Sequence, residues 1–94
     1  MRKGELVASV ASKTSVSRSV AEAVINATLA TIIDSVAAGD QITITGFGTF
    51  ESRDRQARVG RNPQNGEPIQ IPASRAPAFR PGRPFTDAVK GNKS

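Results

Sequence analysis

The segment RDRQARVGRNPQNGEPIQIPASRA, residues 53–76, decides the fold of this 94-residue chain. Its centre, residues 62–66, is dense in turn-forming residues, and the flanking residues alternate weakly between apolar and polar side chains. Pro68 and Pro72 exclude a central position in a sheet, because proline cannot donate a ladder hydrogen bond. The segment is therefore predicted to form a flexible two-stranded β-arm with its tip at 62–66, too polar to pack on a core.

The excess positive charge of the chain lies in its second half, which begins with the arm. Residues 53–94 hold nine basic and three acidic side chains and residues 1–52 hold four and five, so the net charge of +5 divides into +6 and −1. Four arginines crowd the start of the arm: Arg53, Arg55, Arg58 and Arg61. Because the guanidinium fork matches phosphate oxygens, we interpret them as a phosphate-binding surface. The alternative is that the charge of these arginines only keeps the arm soluble. The asymmetry indicates a polyanion partner, either nucleic acid or an anionic membrane.

Apolar spacing outside the arm predicts helices in a body made of residues 1–52 and 77–94. We expect a short helix over 3–12, a turn over 13–17 and a long helix over 18–38. Ser17 is the expected N-cap of the long helix, and Gly39 suits the position just beyond its end. Pro84 suits the first position of a short C-terminal helix.

Alternating side chains predict the strands of the body. They lie over residues 41–45, 49–53 and 76–80, with a tight, glycine-assisted turn at 46–48. Residues 91–94 are expected to form a frayed tail. No linker divides the chain, so residues 1–94 are predicted to form a single α+β domain.

The long helix presents more apolar surface than its neighbours in sequence can cover. One stripe is formed by Ile25, Leu29, Ile32, Ile33 and Val36. Val20 and Val24 lie on a different side of the helix. The short first helix can cover one side, so the other requires the sheet or a second subunit.

Several function classes are excluded by composition. The chain has no Cys and no His, which excludes disulfides, zinc fingers and imidazole catalysis. Its carboxylates are scattered and indicate neither a metal site nor a catalytic pair, so we expect no enzyme activity, no metal and no cofactor. No continuous apolar run approaches the ~18 residues of a membrane span, and no signal peptide is evident. A cytoplasmic location is expected, and an adhesive protein for anionic lipid or polysaccharide is the alternative from another class.

Pro63 and the phenylalanines are the remaining notable side chains. A proline at a turn is ordinarily a turn-former, but at the tip of a cationic ribbon it can wedge between base pairs and kink a duplex. Four phenylalanines are expected in the core rather than stacked on nucleobases, because their neighbours are apolar: Phe47, Phe50, Phe79 and Phe85.

The motifs of the second half resemble a known family. They are Gly46-Phe47-Gly48-Thr49-Phe50, Arg55 with Arg58, Gly60-Arg61-Asn62-Pro63 and Pro77-Ala78-Phe79-Arg80-Pro81-Gly82. Together they are similar to the bacterial histone-like HU/IHF family over essentially the whole chain. The resemblance implies an intertwined dimer with a helical base, a small antiparallel sheet saddle and one extended two-stranded β-arm per subunit. The two arms would embrace double-stranded DNA.

The resemblance also implies roles for individual residues. Pro63 would insert at a base step and bend the duplex. The implied DNA-binding set is Lys3, Gly46, Phe47, Arg53, Arg55, Arg58, Arg61, Asn62, Pro63, Gln64, Arg75, Arg80 and Arg83. The implied dimer core is Ile25, Leu29, Ile32, Ile33, Val36, Phe47, Phe50 and Phe79. Gln64 stands where the family usually has Lys, which removes a charge beside the wedge and is expected to tune affinity only.

The expected function is that of an architectural protein which binds, bends and compacts DNA in the nucleoid with little sequence preference. The expected partners are double-stranded DNA and a second copy of the chain, with no membrane. An IHF-like subunit that pairs with a paralogue and prefers a specific site is the alternative.

Overall fold

The computed structural model describes residues 1–91, which form an α+β fold. The tail expected at 91–94 thus lies outside the described residues from position 92 onward. The described elements are α1 (Lys3–Thr14), α2 (Arg18–Ala37), β1 (Ile42–Ile44), β2 (Gly48–Arg55), β3 (Arg58–Arg61), β4 (Pro68–Ile71), β5 (Ser74–Pro81) and α3 (Arg83–Lys90). The chain divides into two compact units, Met1–Asp34 and a second that begins at Ser35. This boundary lies inside α2 rather than in a linker.

Helix α1 is longer than the apolar spacing predicts. It continues to Thr14, whose Oγ1 donates to the Val10 carbonyl at 2.6 Å, and it ends where Ser15 adopts a left-handed conformation with φ of 58°. The predicted turn at 13–17 therefore begins two residues late. At the other end the Glu5 carboxylate accepts the Arg2 backbone N–H at 3.3 Å, which compensates for the missing N-cap side chain.

Both predicted caps of α2 are confirmed. Ser17 Oγ accepts the backbone N–H of Val20 at 3.1 Å, the usual geometry of an N-cap serine. Gly39 has φ of +92°, and its N–H donates to Val36 at 3.0 Å, while the Asp40 N–H donates to Ser35 at 2.9 Å. These two bonds form a Schellman motif, which ends the helix at Ala37, one residue earlier than predicted.

The sheet has the strand order β1–β2–β5, and all its pairings are antiparallel. The glycine-assisted turn between β1 and β2 is confirmed, because the Phe47 N–H bonds the Ile44 carbonyl at 2.9 Å and Gly46 has φ of +84°. Strand β1 is shorter than predicted, whereas β2 and β5 are longer. Helix α3 begins at Arg83, so Pro84 occupies its second position rather than the first.

The β-arm is an extension of the β2–β5 hairpin. Pairing runs from Gly48↔Pro81 to Arg55↔Ser74 and resumes at Arg58↔Ile71, with two residues skipped on each strand. Equal gaps mean that no residue is inserted and the register continues unchanged. Pro72 lies in the gap and has no N–H to donate, which explains the interruption. Residues 53–55, predicted to belong to the free arm, therefore continue the ladder of the three-stranded sheet.

One face of the sheet is aromatic. Phe50 lies directly across from Phe79, with ring centroids 4.7 Å apart. Phe47 packs 5.4 Å from Phe79 and 5.2 Å from Phe85 of α3. The four phenylalanines, expected in the core, do pack on one another, but Phe47, Phe79 and Phe85 stay partly exposed in the single chain, so it does not bury them as a core.

Few side chains of the described residues are fully buried. The buried apolar side chains are Val7, Ala21 and Val36. Of the predicted stripe on α2, Ile25 and Ile32 are half-buried, whereas Leu29 is 45% and Ile33 66% exposed. The sequence expectation that this helix needs a second cover is consistent with these exposures.

Helix α2 is long and apolar enough, with mean hydropathy of 1.5, to cross a membrane by length and composition alone. Polar residues such as Glu22, Asn26 and Asp34 interrupt it, which is why no continuous apolar run was found in the sequence. Core helices of soluble proteins share this length and composition, so the property does not by itself indicate a membrane protein.

Replacing Gly48 by Ala is expected to destabilise the fold. A Cβ at this position would lie 2.5 Å from the Phe79 ring and 2.7 Å from the Arg80 carbonyl oxygen. We expect a loss of about 1–3 kcal/mol, measured by urea denaturation at fixed protein concentration. Gly4→Ala in α1 is the matched control, because its Cβ meets only the flexible end of Arg18 and alanine favours a helix by about 0.5–1 kcal/mol. A Gly48→Ala protein as stable as wild type would contradict the close packing of Phe79 and Arg80 against Gly48.

Candidate nucleic-acid interface

The sheet face opposite the phenylalanines carries polar and charged side chains. Side chains alternate along a strand, so residues two apart on β2 share a face, as do residues paired across the ladder. Thr49 pairs with Arg80, and the register places Glu51 and Arg53 on the same side. Thr43 of β1 pairs with Thr49, and their hydroxyl oxygens lie 3.2 Å apart. We call these five residues the polar face.

Glu51 joins two of the predicted DNA-binding arginines. Its Oε2 accepts from Arg53 Nε at 3.1 Å, and its Oε1 accepts from Arg80 Nε at 2.9 Å. The hydrogen bonds from Arg53 and then Arg80 hold the pKa of Glu51 below its ordinary value. In the sequence Glu51 is one of several scattered carboxylates, which indicate no site by themselves. Its position two residues before Arg53 on a predicted strand was the available signal, whereas Arg80 is brought in only by the register.

Arg75 lies on the other face of the same hairpin. It pairs across the ladder with Asp54, and its Nε is 3.5 Å from Asp54 Oδ1. Its Nη2 donates to Ser52 Oγ at 2.9 Å. The structure therefore separates Arg75 from Arg53 and Arg80, although the sequence grouped it with the other arginines of the arm.

The three remaining arm arginines have no carboxylate partner among the described residues. Arg55 and Arg58 are exposed, and Arg61 Nη1 donates to the Gly66 carbonyl at 3.0 Å. The unchanged register places Arg53, Arg55 and Arg61 on one side of the hairpin and Arg58 on the other.

The predicted tip at 62–66 is a closed turn. The backbone N–H of Asn62 donates to Glu67 at 2.8 Å, and the Asn62 carbonyl accepts from Gly66 at 2.8 Å. Asn62 Oδ1 also accepts the backbone N–H of Gln64 at 2.9 Å, forming an Asx turn. Gly66 has φ of +72°, as such a turn requires. Pro63 and Gln64 are left exposed at the end of the arm.

The other residues of the implied DNA-binding set lie outside the polar face and the arm. Gly46 is exposed in the β1–β2 turn, and the ring of Phe47 belongs to the aromatic face rather than the polar face. Arg83 Nε lies 3.7 Å from Asp87 Oδ2, one turn along α3. Lys3 is exposed at the start of α1, in the first compact unit.

Comparison with known proteins shows similarity along the whole chain. Residues 1–90 match the family described as bacterial DNA-binding protein. The DNA-binding protein HU of Nostoc sp. strain PCC 7120 is 52% identical over 94 residues, which covers all of both chains. HU 1 of Bacillus subtilis is 48% identical over 91 residues, 97% of this chain and 99% of that protein.

Solved structures agree with these sequence matches. The fold superposes on a cocrystal structure of Anabaena HU with DNA at a TM-score of 0.88 and 54% identity, covering 95% of this chain and 97% of that one. HU from Thermotoga maritima matches at a TM-score of 0.67 and 26% identity, covering 95% and 98%. The resemblance inferred from the Gly-Phe-x-x-Phe and Gly-Arg-Asn-Pro motifs is therefore confirmed, and the chain belongs to the bacterial DNA-binding protein family that includes HU.

Proposed function

We propose that this protein is an architectural, histone-like protein that binds double-stranded DNA largely without sequence preference and bends it. The observation that carries the proposal is the hairpin of β2–β5 and β3–β4, which bears arginines along its length and an exposed proline at its tip. Family membership supports a DNA-binding role and no enzymatic one. The relatives named above are HU proteins, which favours this function over an IHF-like one.

Phosphate contact supplies the affinity. Arg55 and Arg58 are exposed and lack a carboxylate partner among the described residues, so their guanidinium groups are available to phosphate oxygens. Neutralising phosphates releases condensed counterions and does not depend on base sequence. Preference then arises from DNA that is already flexible or distorted, because it costs less to bend.

Pro63 bends the duplex. Insertion of an apolar side chain between base steps from the minor groove is known for architectural proteins of this class, HU and IHF included. Here the closed turn at residues 62–66 fixes the backbone, which leaves the Pro63 ring exposed as the apolar group at the end of the arm.

The functional unit is a homodimer. A single chain leaves Leu29 and Ile33 of α2 and Phe47 of the aromatic face exposed, and a second copy can cover such surfaces by two-fold symmetry. A dimer carries twice the net charge of +5 and two arms, so that DNA can be held from both sides. Its place of action is the bacterial cytoplasm and, within it, the nucleoid.

Pro63→Ala is expected to reduce DNA bending more than DNA binding. The substitution removes the wedge but leaves every arginine in place. We expect a smaller bend angle by fluorescence energy transfer across a labelled duplex, with the binding free energy changed by less than about 1.4 kcal/mol, which is tenfold in affinity. Gln64→Ala, at the neighbouring exposed position, is the control and should retain the bend. An unchanged bend angle in the Pro63 variant would exclude the wedge.

Ile32→Lys is expected to abolish the dimer. Ile32 belongs to the apolar stripe of α2, and a lysine there would place an unpaired charge in the interface. Sedimentation should give the monomer mass of 9.9 kDa for this variant and twice that mass for wild type. Ala23→Lys adds the same charge at an exposed position of α2 that lies outside the stripe, and it should stay dimeric. If Ile32→Lys sediments as wild type does, the stripe is not the interface.

A further inference from the structure

Glu51 is the acidic member of the polar face, and it receives a hydrogen bond from an arginine on each side. Arg53 Nε and Arg80 Nε approach its two carboxylate oxygens at 3.1 and 2.9 Å. The Glu51 side chain is 19% exposed, whereas that of Asp54, three residues along the same strand, is 85% exposed. Glu51 is thus held between the two guanidinium groups rather than extended into solvent.

The donors around Glu51 form an anion site that the chain itself fills. Arginine recognises carboxylate and phosphate with the same planar fork, so donors that suit Glu51 also suit a DNA phosphate. The hydroxyl groups of Thr43 and Thr49 lie on the same face, and Thr49 is directly across the ladder from Arg80. Hydroxyl groups are further donors to phosphate oxygens.

The polar face is also the side of the sheet on which a duplex can be accommodated. Its opposite side carries the phenylalanines Phe47, Phe50 and Phe79, which pack on one another and on α3. Arg53 and Arg80 are more than half exposed even while they bond Glu51. Both arginines can therefore exchange the carboxylate for an incoming phosphate without unfolding the ladder.

We propose that Glu51 is an internal competitor for the DNA backbone, which occupies Arg53 and Arg80 in the free protein and is displaced from them by phosphate in the complex. This inference rests on the function proposed above. It distinguishes two groups of arginines. Arg55 and Arg58, which have no carboxylate partner among the described residues, are ready to bind, whereas Arg53 and Arg80 bind only after the exchange. Glu51 thereby lowers the affinity for DNA.

The exchange is energetically accessible. An exposed ion pair typically changes an equilibrium by about 1.4- to 5-fold, so two such pairs resist displacement only weakly. The carboxylate set free must be screened by cations from solution, which offsets part of the counterion release from DNA. Glu51 is therefore expected both to weaken binding and to reduce its dependence on salt.

The test compares Glu51→Gln with Asp54→Asn. Both variants lose one negative charge on β2, but Asp54 lies on the opposite face, beside Arg75. The probe is a duplex of random sequence, and the dissociation constants of wild type and both variants are measured over a range of potassium chloride. We expect Glu51→Gln to bind about threefold to tenfold more tightly than wild type, with a steeper salt dependence. Asp54→Asn should change affinity less.

The outcomes separate this inference from the proposed function. Failure of wild type to bind the duplex would overturn the proposed function itself. Wild-type binding with equal or weaker affinity for Glu51→Gln would show that Glu51 positions the arginines for DNA and would overturn the competition. An equal gain in DNA affinity for both variants would show that the effect comes from net charge alone, and it would also overturn the competition.

A measurement on the wild-type protein does not depend on how the variant folds. The Nε–H nitrogen and proton resonances of Arg53 and Arg80 report the hydrogen bonds to Glu51 directly. They should shift when duplex is added, as the acceptor changes from carboxylate to phosphate. Resonances that remain in place at saturating DNA would contradict the exchange.

Discussion

The cross-strand pair Phe50–Phe79 is the contact on which the second compact unit depends. Because side chains alternate along a strand, this register sends the phenylalanines to one face and Thr49, Glu51 and Arg80 to the other. Slippage by one residue would exchange the two faces. The same register continues through the gap at Pro72 to the tip, so the positions of the arm arginines are set by packing that lies at the base of the hairpin.

The distribution of apolar side chains connects this fold to its function. The aromatic face and the stripe of α2 leave apolar surface exposed in a single chain. The arm has few large apolar side chains, and two of them, Val59 and Ile69, are also exposed. A second copy of the chain can cover the exposed apolar surface of the aromatic face and α2, and a polyanion can bind the cationic arm. The thin core of each chain and the cationic arm that packs on no core are thus related. Dimerisation completes the body, and the arms bind DNA.

Local signals in the sequence predicted the fold well, because they act through neighbouring residues. Ser17 and Gly39 cap α2 as expected, and the turn at 62–66 closes as its Asn and Gly residues require. What the sequence could not show depends on pairing over long separations. Glu51 meets Arg80 at a distance of 29 residues along the chain, and the register alone separates Arg75 from Arg53. The predicted end of α1 was wrong for another reason. Lys13 and Thr14 are polar, yet both are compatible with a last helical turn.

The salt dependence of DNA affinity tests the central claim most directly. If phosphate neutralisation by the arms supplies the affinity, the logarithm of the association constant falls linearly with the logarithm of salt concentration. On each arm of a dimer, three arginines have no carboxylate partner within residues 1–91, and together they would give a slope of about −5, at about 0.9 for each phosphate contacted. The account predicts this slope for duplexes of unrelated sequence alike. A slope near zero, or tight binding confined to one sequence, would contradict it.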